Sequence, residues 1–582
     1  MQKRLAWFSS FFLLACSSPP PDPCKVPSTA ADTAAPPAIH TPRWAFEPWI
    51  SKDISDTDDT YAFVDGFAQR NIPVGVVVLD SPWETQYTTF VPNPVRYHDF
   101  AKLLGDLHAQ NIKLVLWTTQ MINNASIDIE PGGDHYDGES PNYEQAVSCK
   151  YSVDNADNYF WWKGTGIGVD FFNPSAMAWW HRQQDTVLDL GIDGWKLDFG
   201  DSYLLAEPVL TASGPVTHQD YSEAYYRDFL AYGVAKRGRD FTTLVRGWDA
   251  SYGFKGRFYA KKEHAPVIWA GDNRRDWVGL ADALDTMFRS ARAGYVVVGS
   301  DIGGYLDVDD QTRDPVAFSQ TTFARWTAVG ALSPFMELHG RANLTPWTVP
   351  DRPDETVTLY RYWATLHHEL VPFFYSLTEQ AYAGGPPLLD PIGDESTWAN
   401  DYRYTLGGAL LVAPILDDTG KRDIALPSGS RWYDWWAPAA DALDGGQTLT
   451  AYDATDRTRL PLFVREGAIV PQRSSIAFYP SATPTQFVVI DDDEQKTTLA
   501  TTAKPGEYDV SLSRVVGAGL VSVRADRAVT AVTVDGAASA MKATRAELDA
   551  ADSGWFADTA NRTVWVKLTA KAAASALMLT AP

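Results

Sequence analysis

The sequence predicts an α/β fold, a (β/α)8 TIM barrel followed by C-terminal β-sandwich domains. Three observations carry this. Short apolar strands alternate with amphipathic helices from about residue 44 to 384. Eight such strands can be placed, the number that closes a barrel of this kind. Near residue 385 the helical periodicity fades, and short apolar runs between Gly, Pro and Asp take over.

The elements follow in chain order. Lys3 and Arg4 precede an apolar run from Leu5 to Ala15, too short to span a bilayer and of signal-peptide form. Residues 1–16 end in Leu13-Leu14-Ala15-Cys16, which resembles a bacterial lipobox and would make Cys16 a lipid-bearing residue of an exported cell-envelope protein. An ordinary cleaved signal with an incidental cysteine is the alternative. Residues 17–43, rich in Pro, Ser, Ala and Thr, read as a flexible tether. The eight strands are Ala45–Ser51, Val74–Asp80, Lys113–Thr119, Gly194–Asp198, Thr242–Gly247, Pro266–Asp272, Gly294–Asp301 and Ala331–His339. Helical patterns fall between them at Tyr97–Gln110, Ala176–Leu190 and Tyr221–Arg237, and Val357–Tyr382 closes the barrel. The stretch 120–170 after the third strand is long enough to carry an inserted subdomain. Residues 385–475 read as a proximal β-sandwich and 476–582 as a distal β-domain.

Composition narrows the function. A net charge of −24 argues against a nucleic-acid partner, which needs a basic surface. The 22 Trp and 26 Tyr suit the stacking of sugar rings, although barrels and sandwiches also bury aromatics. No His/Cys cluster has metal-ligand spacing and no cofactor motif stands out, so none is expected. No stretch after the N-terminus is long and apolar enough to span a bilayer, so membrane attachment would rest on Cys16 alone. Cys24 and Cys149 remain, a pair that the spacing neither requires nor excludes as a disulfide.

The chemistry concentrates at the strand ends, where barrels of this type build their sites. The segment GIDGWKLDFGD (191–201) ends an apolar strand on Asp198, and VIWAGDN (267–273) ends another on Asp272. Asp80, Trp117, Lys196, Arg246, Trp269, Asp301 and His339 occupy the corresponding positions on the other strands, and Phe199 and Asp201 flank Asp198. Ion pairing with Lys196 or Arg246 would account for any one of these acids, but not for four at strand ends. Two carboxyls that face each other across a scissile bond, one ionised and one protonated, are what glycoside hydrolysis requires.

These segments resemble glycoside hydrolase family 31, the retaining α-glycosidases, from about Pro48 to Pro471. GIDGWKLDFGD is similar to the family's nucleophile motif, and WAGDN (269–273) to its acid/base motif. GSDIGG (299–304), RWTAVGALSPFMELHG (325–340), GGALLVAPILD (407–417), LPSGSRWYDWW (426–436) and PLFVREGAIVP (461–471) follow in the family's order. The resemblance implies Asp198 as nucleophile and Asp272 as general acid/base. It implies that Asp80, Arg246 and His339 hold sugar hydroxyls, with Trp117 and Trp269 as walls and Lys196, Phe199, Asp201 and Asp301 as further substrate contacts. Lys196 and the following Phe-Gly-Asp sit closer to the α-xylosidase and α-galactosidase-like branches than to the common α-glucosidases. Glu337 stands where an Arg is frequent in the family, and the family's usual N-terminal β-sandwich is expected to be absent.

The function implied is a retaining exo-α-glycosidase that trims terminal sugars from oligosaccharides through a covalent glycosyl-enzyme. An α-transglycosylase on the same scaffold and a non-catalytic glycan-binding lipoprotein are the alternatives. A nearby cation, Lys196 or Arg246, should keep Asp198 ionised, and an apolar neighbour such as Trp269 should keep Asp272 protonated.

Overall fold

A computed structural model describes residues 22–582 apart from 199–203, 205, 251–255, 516–518 and 572. The signal-peptide and Cys16 expectations therefore lie outside the described residues, as do Phe199 and Asp201.

Eight parallel strands close into a barrel. In chain order they are Trp49–Lys52, Val76–Leu79, Lys113–Thr118, Gly194–Leu197, Thr242–Arg246, Val267–Trp269, Val298–Asp301 and Phe335–Leu338, and they are called barrel strands 1 to 8 below. Seven fall inside their expected spans, and barrel strand 1 runs one residue past its own, to Lys52. The barrel interior and the helical layer both cover these strands, so their sequences are almost continuously apolar. All four residues of barrel strand 2 are buried, as are all five of barrel strand 5.

The helices that return the chain start on side-chain caps. Asp56 accepts from the Asp59 N–H at the head of Thr57–Ala68, and Asp276 from the Gly279 N–H at the head of Trp277–Arg292. Each satisfies an amide that the helix leaves unpaired, worth about 1 kcal/mol. The alternation breaks once. Between barrel strands 5 and 6 the described residues form a short ribbon, Trp248–Asp249 against Arg257–Phe258, instead of an α-helix. After barrel strand 8 a helix of 30 residues, Pro353–Tyr382, packs on Gln320–Ala331. No helix among the described residues is long and apolar enough to cross a membrane.

The expected insertion is a four-stranded antiparallel sheet built from Met121–Ile127, His135–Tyr136, Tyr159–Trp161 and Gly164–Gly168. Beyond the barrel, a six-stranded sheet runs from Leu389 to Arg465, with a two-stranded ribbon at Lys421–Ala425 and Thr448–Asp453. The distal domain packs a five-stranded sheet on a six-stranded one around Leu499, Val521, Val566 and Leu579. Ile469–Pro471 already belongs to the distal five-stranded sheet, a few residues before the expected boundary.

The stretch read as a flexible tether departs from that expectation. Over its described part it is held against the barrel by Cys24, disulfide-bonded to Cys149. Tyr151 donates to the Cys24 carbonyl at 2.7 Å. Buried His181 links Asp32, at 2.8 Å, with Asp228, at 2.9 Å. Composition alone could not show this, because the anchors lie in distant parts of the chain.

Two predictions follow from the fold. The disulfide bridges a sequence separation of 125 residues, so its loss restores much chain entropy to the unfolded state. Replacing Cys24 and Cys149 by Ser should lower stability by about 2–5 kcal/mol, read as a drop in Tm. Glu84, in the loop after barrel strand 2, is fully buried, and burial pushes its pKa from 4.5 up to about 8. The native state thus keeps a proton that the unfolded chain releases, and stability falls as pH rises from about 4.5 to about 8. Glu84→Gln should match the parent near pH 4 and exceed it above pH 8 in denaturant unfolding.

Candidate active site

Arg246 closes barrel strand 5, and its side chain is fully buried. Its Nε and Nη2 donate to Asp198 Oδ1 at 3.0 and 2.8 Å, and Nη2 also donates to Asp272 Oδ1 at 3.0 Å. Nη1 donates to Asp249. Burial alone would lower the guanidinium's pKa, but Asp198, Asp272 and Asp249 outweigh it and hold the charge firmly on. Since one nitrogen touches both Asp198 and Asp272, the two bonded oxygens lie within about 6 Å of each other. That suits a retaining pair, roughly 5–5.5 Å apart, better than an inverting pair at roughly 6.5–9.5 Å. Trp117 Nε1 donates to the other oxygen of Asp198 at 3.3 Å, and Trp83 Nε1 fixes the Trp117 backbone carbonyl at 2.6 Å.

The sequence reading expects Lys196 or Arg246 beside Asp198, and the structure has Arg246 there. The expected apolar setting of Asp272 is not what forms, because that carboxylate shares Arg246 with Asp198. Lys196, at the centre of barrel strand 4, donates to Asp80 Oδ2 at 2.9 Å and to His339 Nδ1 at 3.0 Å. Burial works against its charge, but Asp80, Glu337 and Asp301 more than offset it, so the ammonium sits well above the usual lysine range.

His339 follows barrel strand 8, and its Nε2 meets Asp53 Oδ1 at 2.8 Å. Burial and the Lys196 ammonium disfavour charge on the imidazole, while Asp53 and Asp301 favour it. An imidazolium would nevertheless set an Nδ1–H against an ammonium at 3.0 Å, so the geometry selects the neutral ring with its proton on Nε2. Asp53 has its pKa depressed to about 2. Burial opposes this, and His339, Lys196 and the Tyr305 hydroxyl bring it about. Tyr305 donates to Asp53 Oδ2 at 2.7 Å and to Glu130 Oε1 at 3.3 Å. Lys163, buried in the insertion, donates to Glu130 Oε2 at 2.6 Å and to Asp128 Oδ2 at 2.8 Å.

These groups surround a cavity of about 430 Å³. Asp80, Trp117, Lys196, Asp198, Trp269, Asp272 and His339 line it, as the sequence reading expects. Asp301 does not; it lies buried behind, paired in register with Glu337. None of the four carboxylate oxygens of Asp301 and Glu337 has a hydrogen-bond partner among the described residues, and burial holds the Asp301 carboxyl well above the usual range. Asp301 is therefore placed beside His339, 3.9 Å from its Nδ1, rather than against a bound sugar. Two buried trios, Asp53–Asp80–His339 and Asp301–Glu337–His339, bring potential ligand atoms within 4.8 Å of one another. In both, the His339 imidazole is already engaged by Lys196 and Asp53.

Sequence reasoning missed Asp53, although it follows barrel strand 1 as Asp80 follows barrel strand 2 and the same strand-end rule would have found it. It also missed Tyr305, next to GSDIGG, together with Arg313 and Arg341. Ile129, Glu130, Pro131, Phe160 and Trp162 come from the insertion, and no local signal points them at the barrel.

Breaking the central clamp should be costly. Arg246→Ala leaves three carboxylates in a buried site without their common cation. A loss on the order of 3–5 kcal/mol is expected in denaturant unfolding.

Comparison with known proteins places this site in a family. The model of the glycosyl hydrolases family 31 TIM-barrel domain matches residues 38–377, and that of the family 31 C-terminal domain matches 380–470. An alpha-xylosidase of Emericella nidulans is 25% identical over 461 residues, covering 76% of this chain and 54% of that protein. Alpha-glucosidase 2 of Bacillus thermoamyloliquefaciens is 24% identical over 452 residues, covering 74% and 53%. The chain thus spans about half the length of these curated relatives. Among solved structures, the cycloalternan-forming enzyme from Listeria monocytogenes, in complex with a pentasaccharide substrate, aligns with a TM-score of 0.79. It is 20% identical and covers 94% of this chain and 55% of its own, a likeness of fold.

Proposed function

Since the chain belongs to glycoside hydrolase family 31, we propose that it is a retaining exo-α-glycosidase that releases terminal α-linked sugars from oligosaccharides. One observation carries the reading: Asp198 and Asp272 come from different barrel strands yet meet at a single Arg246 nitrogen at the edge of a cavity.

In this mechanism Asp198 attacks the anomeric carbon, and Asp272 gives its proton to the departing oxygen. A glycosyl ester on Asp198 results. Asp272, now a base, takes a proton from water, which attacks the same carbon and restores the original configuration. Arg246 holds Asp198 in place through two hydrogen bonds. To act as the acid, Asp272 must carry a proton, which its Oδ2 can hold while Oδ1 keeps its bond from Arg246. Asp80, Lys196 and His339 form the polar floor that grips the hydroxyls of the terminal sugar. The ammonium there is already paired with Asp80, so the floor suits a neutral, hydroxyl-bearing ring. Lys196 and the flanking sequence favour α-xylosides or α-galactosides over common α-glucosides.

The same intermediate can be intercepted by a sugar hydroxyl. The aromatic and apolar side chains at the cavity rim, with the likeness to a cycloalternan-forming enzyme, support transglycosylation as the second reading. The basic then apolar start ending at Cys16 supports export and lipid anchoring as part of the proposal.

A panel of 4-nitrophenyl α-glycosides tests the reading. Asp198→Ala should abolish turnover, and Asp272→Ala should slow it on the order of 10²–10⁴-fold. Proton NMR should show the α-anomer released first. Turnover by either variant at the parent's rate would defeat the assignment.

A further inference from the structure

Phe160 is 69% exposed, more than any other aromatic side chain among the described residues. Single exposed apolar residues are common and need no explanation. Three features set this one apart.

It is held rigidly. The strand Tyr159–Trp161 alternates buried, exposed, buried. Tyr159 donates to Asp154 Oδ2 at 3.0 Å, and Trp161 Nε1 donates to Asn123 Oδ1 at 2.7 Å. With both neighbours pinned inward, the pleat leaves Phe160 no direction but outward.

It is not alone. Ile129, from the same insertion, is 63% exposed. Both line the cavity that contains Asp198 and Asp272. Two large apolar side chains on one rim form a surface that water covers at a free-energy cost.

The cavity is also polarised. Its inner end is made by Asp80, Lys196 and His339, buried at 7%, 3% and 3% exposure. Its outer end carries the exposed Phe160 and Ile129, with Glu130, Arg313 and Arg341 also in the lining. The bond to be cut lies between Asp198 and Asp272, so a ring gripped by the polar floor leaves the ring beyond that bond facing the rim.

On the reading that the site cleaves α-glycosides, we infer that Phe160 and Ile129 form a platform for the ring of the leaving group, and so set preference for the aglycone. A pyranose or aryl ring presents a flat C–H or π face to Phe160, the contact an exposed aromatic makes best. The floor and the rim then read different halves of the substrate. Phe160 is a specificity residue, with no part in moving protons or charge.

The test compares substrates with and without a leaving ring. Steady-state kinetics would be measured for the parent, Phe160→Ala and Phe160→Trp. The probes are the α-fluorides of glucose, xylose and galactose and the matching 4-nitrophenyl α-glycosides. For the sugar accepted, Phe160→Ala should lower kcat/KM on the nitrophenyl glycoside roughly tenfold through KM. It should leave the fluoride, which has no ring to stack, nearly unchanged, and Phe160→Trp should restore the loss. An equal loss on both probes, or no loss on either, overturns the platform while leaving the catalytic reading intact. Failure of the parent to turn over any of the six compounds overturns both.

Discussion

The site depends on one buried guanidinium. The Arg246 side chain is fully buried, and three carboxylates balance its charge. The planar fork accounts for the arrangement. Two of its nitrogens grip one oxygen of Asp198, a shared nitrogen reaches Asp272, and the third turns to Asp249. A lysine, a point charge on a flexible stem, could not hold three acids in a fixed relation. The spacing of Asp198 and Asp272 is thus limited by the one nitrogen they share, within a barrel frame that delivers both to the same rim.

A second charge cluster stands beside the first. Lys196 is its cation, with Asp80 and His339 in contact and Asp53, Asp301 and Glu337 around it. Trp269 meets both cations, with the Arg246 guanidinium 4.9 Å and the Lys196 ammonium 5.4 Å from its ring. An indole between two charges offers each the electron-rich face of its ring and keeps water from joining them. In the proposed mechanism the first cluster moves charge and the second holds hydroxyls. The carboxyls of Asp301 and Glu337, without hydrogen-bond partners among the described residues, lie buried near Lys196 and outside the cavity lining.

The insertion joins these clusters to the outer wall through a continuous path. Lys163 holds Glu130, Tyr305 bridges Glu130 and Asp53, and Asp53 orients His339. Each link is buried or half-buried, so each bond is stronger than it would be in water and each loss would strand its partner. The same subdomain carries Phe160 and Ile129, so the polar floor and the apolar rim are tied to one rigid sheet.

Much of this was legible in the chain itself. Apolar runs of strand length, spaced by amphipathic helices, place the eight barrel strands, because burial on both faces leaves few other patterns. The strand-end rule picks out Asp80, Lys196, Asp198, Arg246, Trp269, Asp272 and His339, since a barrel gathers those ends on one rim. What the tertiary structure alone decided is pairing. Which cation meets which acid, whether residues 22–43 hang free or dock through Cys24, and which loop walls the cavity all depend on contacts between segments far apart in sequence. Periodicity reports only the local environment of a residue, buried or exposed. It carries no information about the partner that burial brings.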